Sequence, residues 1–457
     1  MLGWTETSPG VFKKDFDGAE KIYRKILQSF AHYGKEHWCL HCICSLRFDP
    51  SVHSPESTAG ELRNAWKLVR FEFPGLSIIP DDLTKVYTIP TAAAVEQWAD
   101  ETFFVETEKQ PDQVLSTIQL PRELPSLYYF PSSSEILFVS SHWRIDAIGT
   151  CMLLDRFFTI FVEQPGKTKY EIQWEKEIDN MSPSMEDAAG SATVYTPEIE
   201  DLAQKAIAKH QEALKTAGLP YHGDKTTIPG DSSRQAFAFT KESTRNLVSA
   251  CRAKGITVTA AIHSALAETI FLLGPSEHQD LDHTAVMSVN IRKYLPSPYN
   301  SPSHACQTYV TGITPRARRH SSFLDRAAAL KEEYKSWYSD LYLHSLRLIY
   351  KYHGDALFAP PKPDAAPPSG VFMSSLGVIE PYLRGDYGSL QVEEFRFGVS
   401  MITRQMIVYA WTFHNQLVLS VNYNEAYYNK DLVQDVLEKT RSCLETELGV
   451  KCETVCI

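Results

Sequence analysis

The chain has 457 residues, 43% hydrophobic and 22% charged, with a net charge of −11. That is enough apolar material for a sizeable core and, by length, two or three domains. The acidic balance argues against nucleic acid or an anionic membrane as the main partner. The opening MLGWTETSPG has neither a basic segment nor an apolar one, so secretion is not expected. The most apolar run, 147–162, is interrupted by Asp155 and Arg156 and is too short to span a bilayer. The nine cysteines show no disulfide-framework spacing, which fits a reducing cytoplasm.

In chain order, residues 18–33 form an amphipathic helix with Ile22, Ile26 and Phe30 at helical spacing. His37-Trp-Cys-Leu-His-Cys-Ile-Cys44 follows. On a strand, His37, Cys39 and His41 would share one face in a ligand-like arrangement. No Cys-x-x-Cys pair accompanies them and Cys packs as a small hydrophobe, so a buried strand without metal is expected. Helices are expected over 61–72 and 90–104, and the Pro- and Ser-rich 111–134 reads as a loop-heavy approach. A short strand, 136–141, then leads into the turn His142-Trp-Arg-Ile-Asp146, and a core helix starts near Ala147. The polar 165–195 reads as a linker and 197–217 as a helix of strong helix formers.

The second half opens with a strand at 237–240, a helix over 241–254 stopped by Gly255, and a helix capped by Thr257 and running to Leu273. Residues 285–291 form a strand ending before Arg292. One long helix is expected from Ser321 to about Tyr352. Its aromatic stripe of Tyr334, Trp337, Tyr338, Tyr342 and Tyr350 is read as core or domain contact, or as the lining of an apolar tunnel. Residues 360–368 read as a disordered loop, 371–377, 390–401, 407–413 and 416–423 as strands, and 431–447 as the closing helix.

The candidate chemistry lies in the His142 turn. With fifteen histidines, His-x-x-x-Asp arises about 0.8 times by chance. The chain holds two, His142/Asp146 and His278/Asp282. His278 lies in an acidic loop with turn residues and no apolar flanks, which reads as solvated. His142 follows an apolar strand and precedes a core helix, a place where rigid elements hold catalytic groups. An alcohol attacks a thioester usefully at neutral pH only if a base removes its proton, and a neutral imidazole does this. Ser374 or Ser375, in the loop Ser-Ser-Leu-Gly, could donate a hydroxyl to the tetrahedral oxyanion, or be an ordinary turn.

Six blocks occur in order: SHWRIDAIG (141–149), GITVTAAIHSALAETI (255–270), SVNIR (288–292), SSLGVIE (374–380), EFRFG (394–398) and LSVNYNEAYYNKDLVQDVLE (419–438). The set resembles the superfamily of chloramphenicol acetyltransferase, nonribosomal-peptide condensation domains and BAHD acyltransferases. The opening GWTETSPGVFKKDFDGAEKIY is similar to a fungal branch typified by trichothecene 15-O-acetyltransferase. The resemblance implies an α/β fold of two similar chloramphenicol-acetyltransferase-like domains, 1–190 and 191–457, each a mixed β-sheet with flanking helices, around a central tunnel. It implies His142 as general base, Asp146 as a structural carboxylate, and Arg292 from the second domain as its partner. Three positions depart from the family pattern. Ala147 stands where a Gly is usual, Arg396 replaces a Gly of the second motif, and Trp143 is not the second His of condensation domains.

The expected protein is a CoA-dependent O-acyltransferase, an acetyltransferase by preference, acting on a hydroxyl of a fungal secondary metabolite such as a terpenoid or polyketide. Acyl-CoA (acetyl-CoA) serves as co-substrate, no cofactor or metal is bound, and the enzyme is a cytoplasmic monomer. The alternatives are a condensation-like enzyme using a carrier-bound acyl group for amide or ring formation, and a non-acylating descendant that binds a small molecule or transfers a proton.

Overall fold

The strand Glu135–Ser140 is buried along its whole length, which is why its sequence runs apolar on both faces instead of alternating. It lies third in a five-stranded sheet ordered Leu390–Val399, Leu40–Phe48, Glu135–Ser140, Ser126–Phe130, Phe103–Val105. All pairings are antiparallel except the last, which is parallel. The computed structural model describes residues 3–163, 172–360 and 367–456.

The chain divides into two compact units. The first comprises Met1–Ser191, Asn290–Val310 and Glu380–Val399, and the second comprises Ala192–Val289, Thr311–Ile379 and Ser400–Ile457. Two stretches of the second half of the sequence therefore cluster with the first unit, unlike the contiguous 191–457 expected. One carries Arg292. The other is the edge strand containing Glu394-Phe-Arg-Phe-Gly398, where Arg396 pairs with Glu135.

The first unit also holds a four-stranded antiparallel sheet, Thr5–Ser8, Val11–Asp15, Thr84–Thr88, Ile79–Asp81, not foreseen from the sequence. Helix Gly18–Phe30 begins with a capping box, with Asp17 and Glu20 reciprocally satisfying its first amides. Residues 111–134 are not a loop: they form the helix Pro111–Thr117 and the strand Ser126–Phe130. The expected linker is also built structure. Residues 164–171 lie outside the described residues, but Trp174–Asn180 and Met185–Ala188 are helical turns. Buried Glu177 there accepts from Arg70 Nε at 2.9 Å and from the Tyr87 hydroxyl at 2.8 Å.

The second unit is a seven-stranded mixed sheet ordered Val310–Ile313, Met287–Asn290, Val371–Val378, Met406–Phe413, Gln416–Asn424, Ser232–Phe239, Thr454–Cys456. Helices Lys241–Ala253, Val258–Leu273 and Lys430–Leu448 contribute to its core, with Thr257 and Asn429 as N-caps. The long helix expected from Ser321 is two, Phe323–Ser336 and Asp340–Leu357. Ser339 restarts the second by accepting the Tyr342 amide at 3.1 Å. The break divides the aromatic stripe: the Tyr334 hydroxyl meets His263 Nδ1 at 2.7 Å, while that of Tyr342 meets Thr311 Oγ1 at 2.8 Å. Of the loop expected at 360–368, residues 361–366 lie outside the described residues.

Candidate active site

The turn between Ser140 and Ala147 is packed from below. Trp143 is buried with its ring edge-on to Phe16 at 5.0 Å, in a cluster with Leu27, Ile78 and Tyr87. Arg144, also buried, donates to the carbonyls of Gly75, Ile78 (3.0 Å) and Glu123 (2.6 Å). Its guanidinium stands 4.3 Å from the centre of the Trp143 ring. Ile145 is fully buried. His142 is only partly buried, whereas Ser141 and residues 143–146 are all buried.

Asp146 turns the other way. Its Oδ1 accepts the Gly149 amide at 2.8 Å, capping the helix Ala147–Glu163. Oδ2 accepts the Tyr309 amide at 2.7 Å. Arg292 Nη1 straddles both oxygens at 2.9 and 2.8 Å. The expected pair is therefore present, but one guanidinium nitrogen makes it, not a two-nitrogen fork. The other, Nη2, donates to the carbonyls of Gln307 (2.9 Å) and Ala305 (3.4 Å). With Asp146 4% and Arg292 2% exposed, this is a buried pair whose charges depend on each other.

Gly149 makes that approach possible. A Cβ there would stand 2.3 Å from the Ala305 carbonyl oxygen and 2.9 Å from Arg292 Nη2. The glycine requirement falls at this position, while Ala147 is accommodated in the first turn.

Tyr23, from helix Gly18–Phe30, lies flat on the imidazole of His142, with ring centres 4.3 Å apart and planes 3° apart. Burial lowers the His142 pKa from its ordinary 6.5, against its own backbone and the charge of Asp146, which raise it. The ring is therefore neutral at neutral pH, the form a general base needs. Burial, with Asp146 second, raises the Tyr23 pKa, so its hydroxyl stays protonated.

The other histidine motifs are structural. The strand rich in Cys begins only at Leu40, and Trp38 has a left-handed backbone (φ 64°), which breaks the alternation that would have put His37, Cys39 and His41 on one face. His37 stacks on Trp38 at 4.7 Å, and burial lowers its pKa to about 3. Among the described residues no group of three or more His, Cys, Asp or Glu could hold a metal. His278 is half-buried rather than solvated, its Nδ1 accepting the Gly218 amide at 3.1 Å. Asp282 instead accepts the Arg319 amide at 3.0 Å.

No family model matches the chain. It is 51% identical over 456 residues to the O-acetyltransferase pigM of Monascus ruber, covering 99% of this chain and 89% of that protein. The chain belongs to the fungal O-acetyltransferases. It is 41% identical to the azaphilone biosynthesis cluster protein M of Aspergillus terreus, covering 98% of each. The solved trichothecene 15-O-acetyltransferase TRI3 of Fusarium sporotrichioides superposes with a TM-score of 0.81 at 18% identity, over 96% of this chain and 97% of that one. A condensation domain of the calcium-dependent antibiotic synthetase gives 0.64 at 14% identity, over 96% and 97%. The two-lobed chloramphenicol-acetyltransferase-like fold follows from these matches, and acyl transfer from the family.

In this acetyltransferase, His142, Asp146 and Arg292 come together in the first unit, while Ser374 and Ser375 belong to the second. The serines lie within the strand Val371–Val378, not in a loop, beside an irregularity of pairing between Ser375 and Gly377. Ser375 Oγ lies 2.9 Å from Thr259 Oγ1, and Ser374 is buried. Sequence reading missed Tyr23, Gly149 and Tyr309. Tyr23 sits inside a helix predicted for other reasons, and nothing local to it points to a histidine more than a hundred residues on. No single helix among the described residues is long and apolar enough to cross a membrane.

Proposed function

We propose that this acetyltransferase moves the acetyl group of acetyl-CoA onto a hydroxyl of a fungal polyketide-type secondary metabolite, with His142 as general base. The observation that carries the reading is the partial exposure of His142 in an otherwise buried turn, while Asp146 is saturated by Arg292 and two backbone amides. The relative named for an azaphilone biosynthesis cluster favours a polyketide-type acceptor over other alcohols.

Nε2 of the neutral imidazole takes the hydroxyl proton as the alcohol oxygen attacks the thioester carbonyl. The tetrahedral intermediate collapses by breaking the carbon–sulfur bond, and the same proton goes to the departing CoA thiolate. The products are the acetate ester and free CoA, with no acyl-enzyme. Asp146 holds the turn and does not accept a proton in the cycle.

Isotopically labelled acetyl-CoA, incubated with a host metabolite extract and followed by mass spectrometry, tests the reading. A labelled acetate ester should form together with free CoA, and both should form about 10²–10⁴-fold more slowly with His142→Ala. Label transfer that needs an acylated carrier protein would contradict the donor assignment.

A further inference from the structure

The carbonyl of His142 sits where the chain has left the sheet and not yet entered the helix, so its partner has to come from elsewhere in the fold. That partner is Thr308, whose hydroxyl donates to the His142 oxygen at 2.5 Å. Thr308 is fully buried. Its own amide donates to Gln307 Oε1 at 2.9 Å. Gln307 Nε2 in turn donates to Glu20 Oε1 and to the Pro183 carbonyl, each at 2.9 Å. Glu20 is held by Lys85, whose Nζ lies 2.7 and 2.5 Å from its two oxygens. Gln307, Glu20 and Lys85 are 5%, 1% and 2% exposed, so this chain of bonds is shielded from water. The next residue, Tyr309, gives its amide to Asp146. Two consecutive residues of one segment thus clamp the two ends of the turn, 308 at His142 and 309 at Asp146.

We propose that Thr308 is a positioning residue for His142, fixing the backbone from which the imidazole is aimed. The proposal rests on the reading of His142 as general base. A base acting through Nε2 must carry its proton on Nδ1. Nδ1 is buried and has no hydrogen-bond partner. The ring is therefore aimed by the backbone that Thr308 holds and by the stacked Tyr23. Valine has the shape of threonine without the hydroxyl. Thr308→Val would leave a buried carbonyl short of its donor, free to shift with the ring following.

The test compares wild type, Thr308→Val, Thr308→Ser and His142→Ala, using acetyl-CoA and the extract alcohol that the wild type acetylates. In parallel, ¹⁵N-histidine spectra read the ring of His142, assigned by its absence in His142→Ala. Thr308→Val should lower kcat roughly 10- to 100-fold, as a misplaced base does, with KM for acetyl-CoA within about threefold. Its His142 signal should shift. Thr308→Ser, which keeps the hydroxyl, should stay within about threefold of wild type in kcat and keep the wild-type signal. A Thr308→Val enzyme with wild-type kcat and His142 signal overturns the proposal while His142→Ala remains impaired. Retained turnover in His142→Ala would instead remove the general-base reading itself, whatever Thr308 does.

Discussion

Asp146→Asn changes one atom of a carboxylate that only accepts. Four N–H contacts converge on it: the amides of Gly149 and Tyr309, one on each oxygen, and Arg292 Nη1 on both. An asparagine amide has one acceptor and one donor end. In either orientation its NH₂ faces a backbone N–H, Gly149 or Tyr309, and Arg292 loses its counter-charge in a setting where it is 2% exposed. Breaking one side of such a pair costs about 3–5 kcal/mol, because the remaining charge is stranded. For a unit of this size that lowers the melting temperature by roughly 6–20 °C. Arg292→Met should cost a similar amount, and the double variant less than the sum, since neither charge is then left alone. The assay is a double-mutant cycle read by thermal melting and by turnover. Additive losses, or a fall of only a degree or two in either single variant, would refute the idea that this pair holds the turn.

Gly149→Ala should lower both stability and turnover, because its Cβ would stand 2.3 Å from the Ala305 oxygen and crowd Arg292 Nη2. Wild-type melting and kcat in that variant would contradict the close approach. Melting temperature should pass through a maximum in mildly acidic solution. Burial lowers the pKa of His37 to about 3 and of His283 to about 4, so their contribution is complete above 6.5 and is lost as pH falls through those values. Burial raises Glu36 and Glu186 to about 8, so theirs is complete below 4.5 and is lost as pH rises through 8. A melting temperature rising steadily from acid to alkaline pH would contradict this. Intact mass after incubation with acetyl-CoA alone should show no acetylated protein: burial raises Cys306 to about 12 and Cys39, Cys42 and Cys151 well above their ordinary value, leaving them thiols. A stable acetyl adduct would replace direct transfer with a two-step route.

The HWRID turn was legible because its neighbours are extreme: an apolar strand buried on both faces and an apolar helix with an Asp at its cap. Pairing Asp146 with Arg292 needed the resemblance, since 146 positions separate them and the strand end before Arg292 is unremarked by composition. The split at Trp337–Ser339 was hidden because aromatic residues continue at helical spacing through the break, although Ser339-Asp340 is an N-cap signal. Where the Cys-rich strand starts was hidden for a different reason. A left-handed Trp38 lies outside what side-chain periodicity can show. Tyr23 and Thr308 reach His142 only through tertiary packing, so no local pattern marks them.

The central claim is that His142 removes the acceptor proton, and the pH dependence of kcat/KM in wild type and His142→Ala tests it most directly. Burial places the His142 pKa below 6.5, so the wild-type profile should be level through neutrality and fall on an acid limb below that value. His142→Ala, correctly folded by melting and circular dichroism, should lose about 10²–10⁴ in rate and show no such limb. Turnover within a few-fold of wild type in His142→Ala, or an acid limb that survives the substitution, would contradict the account.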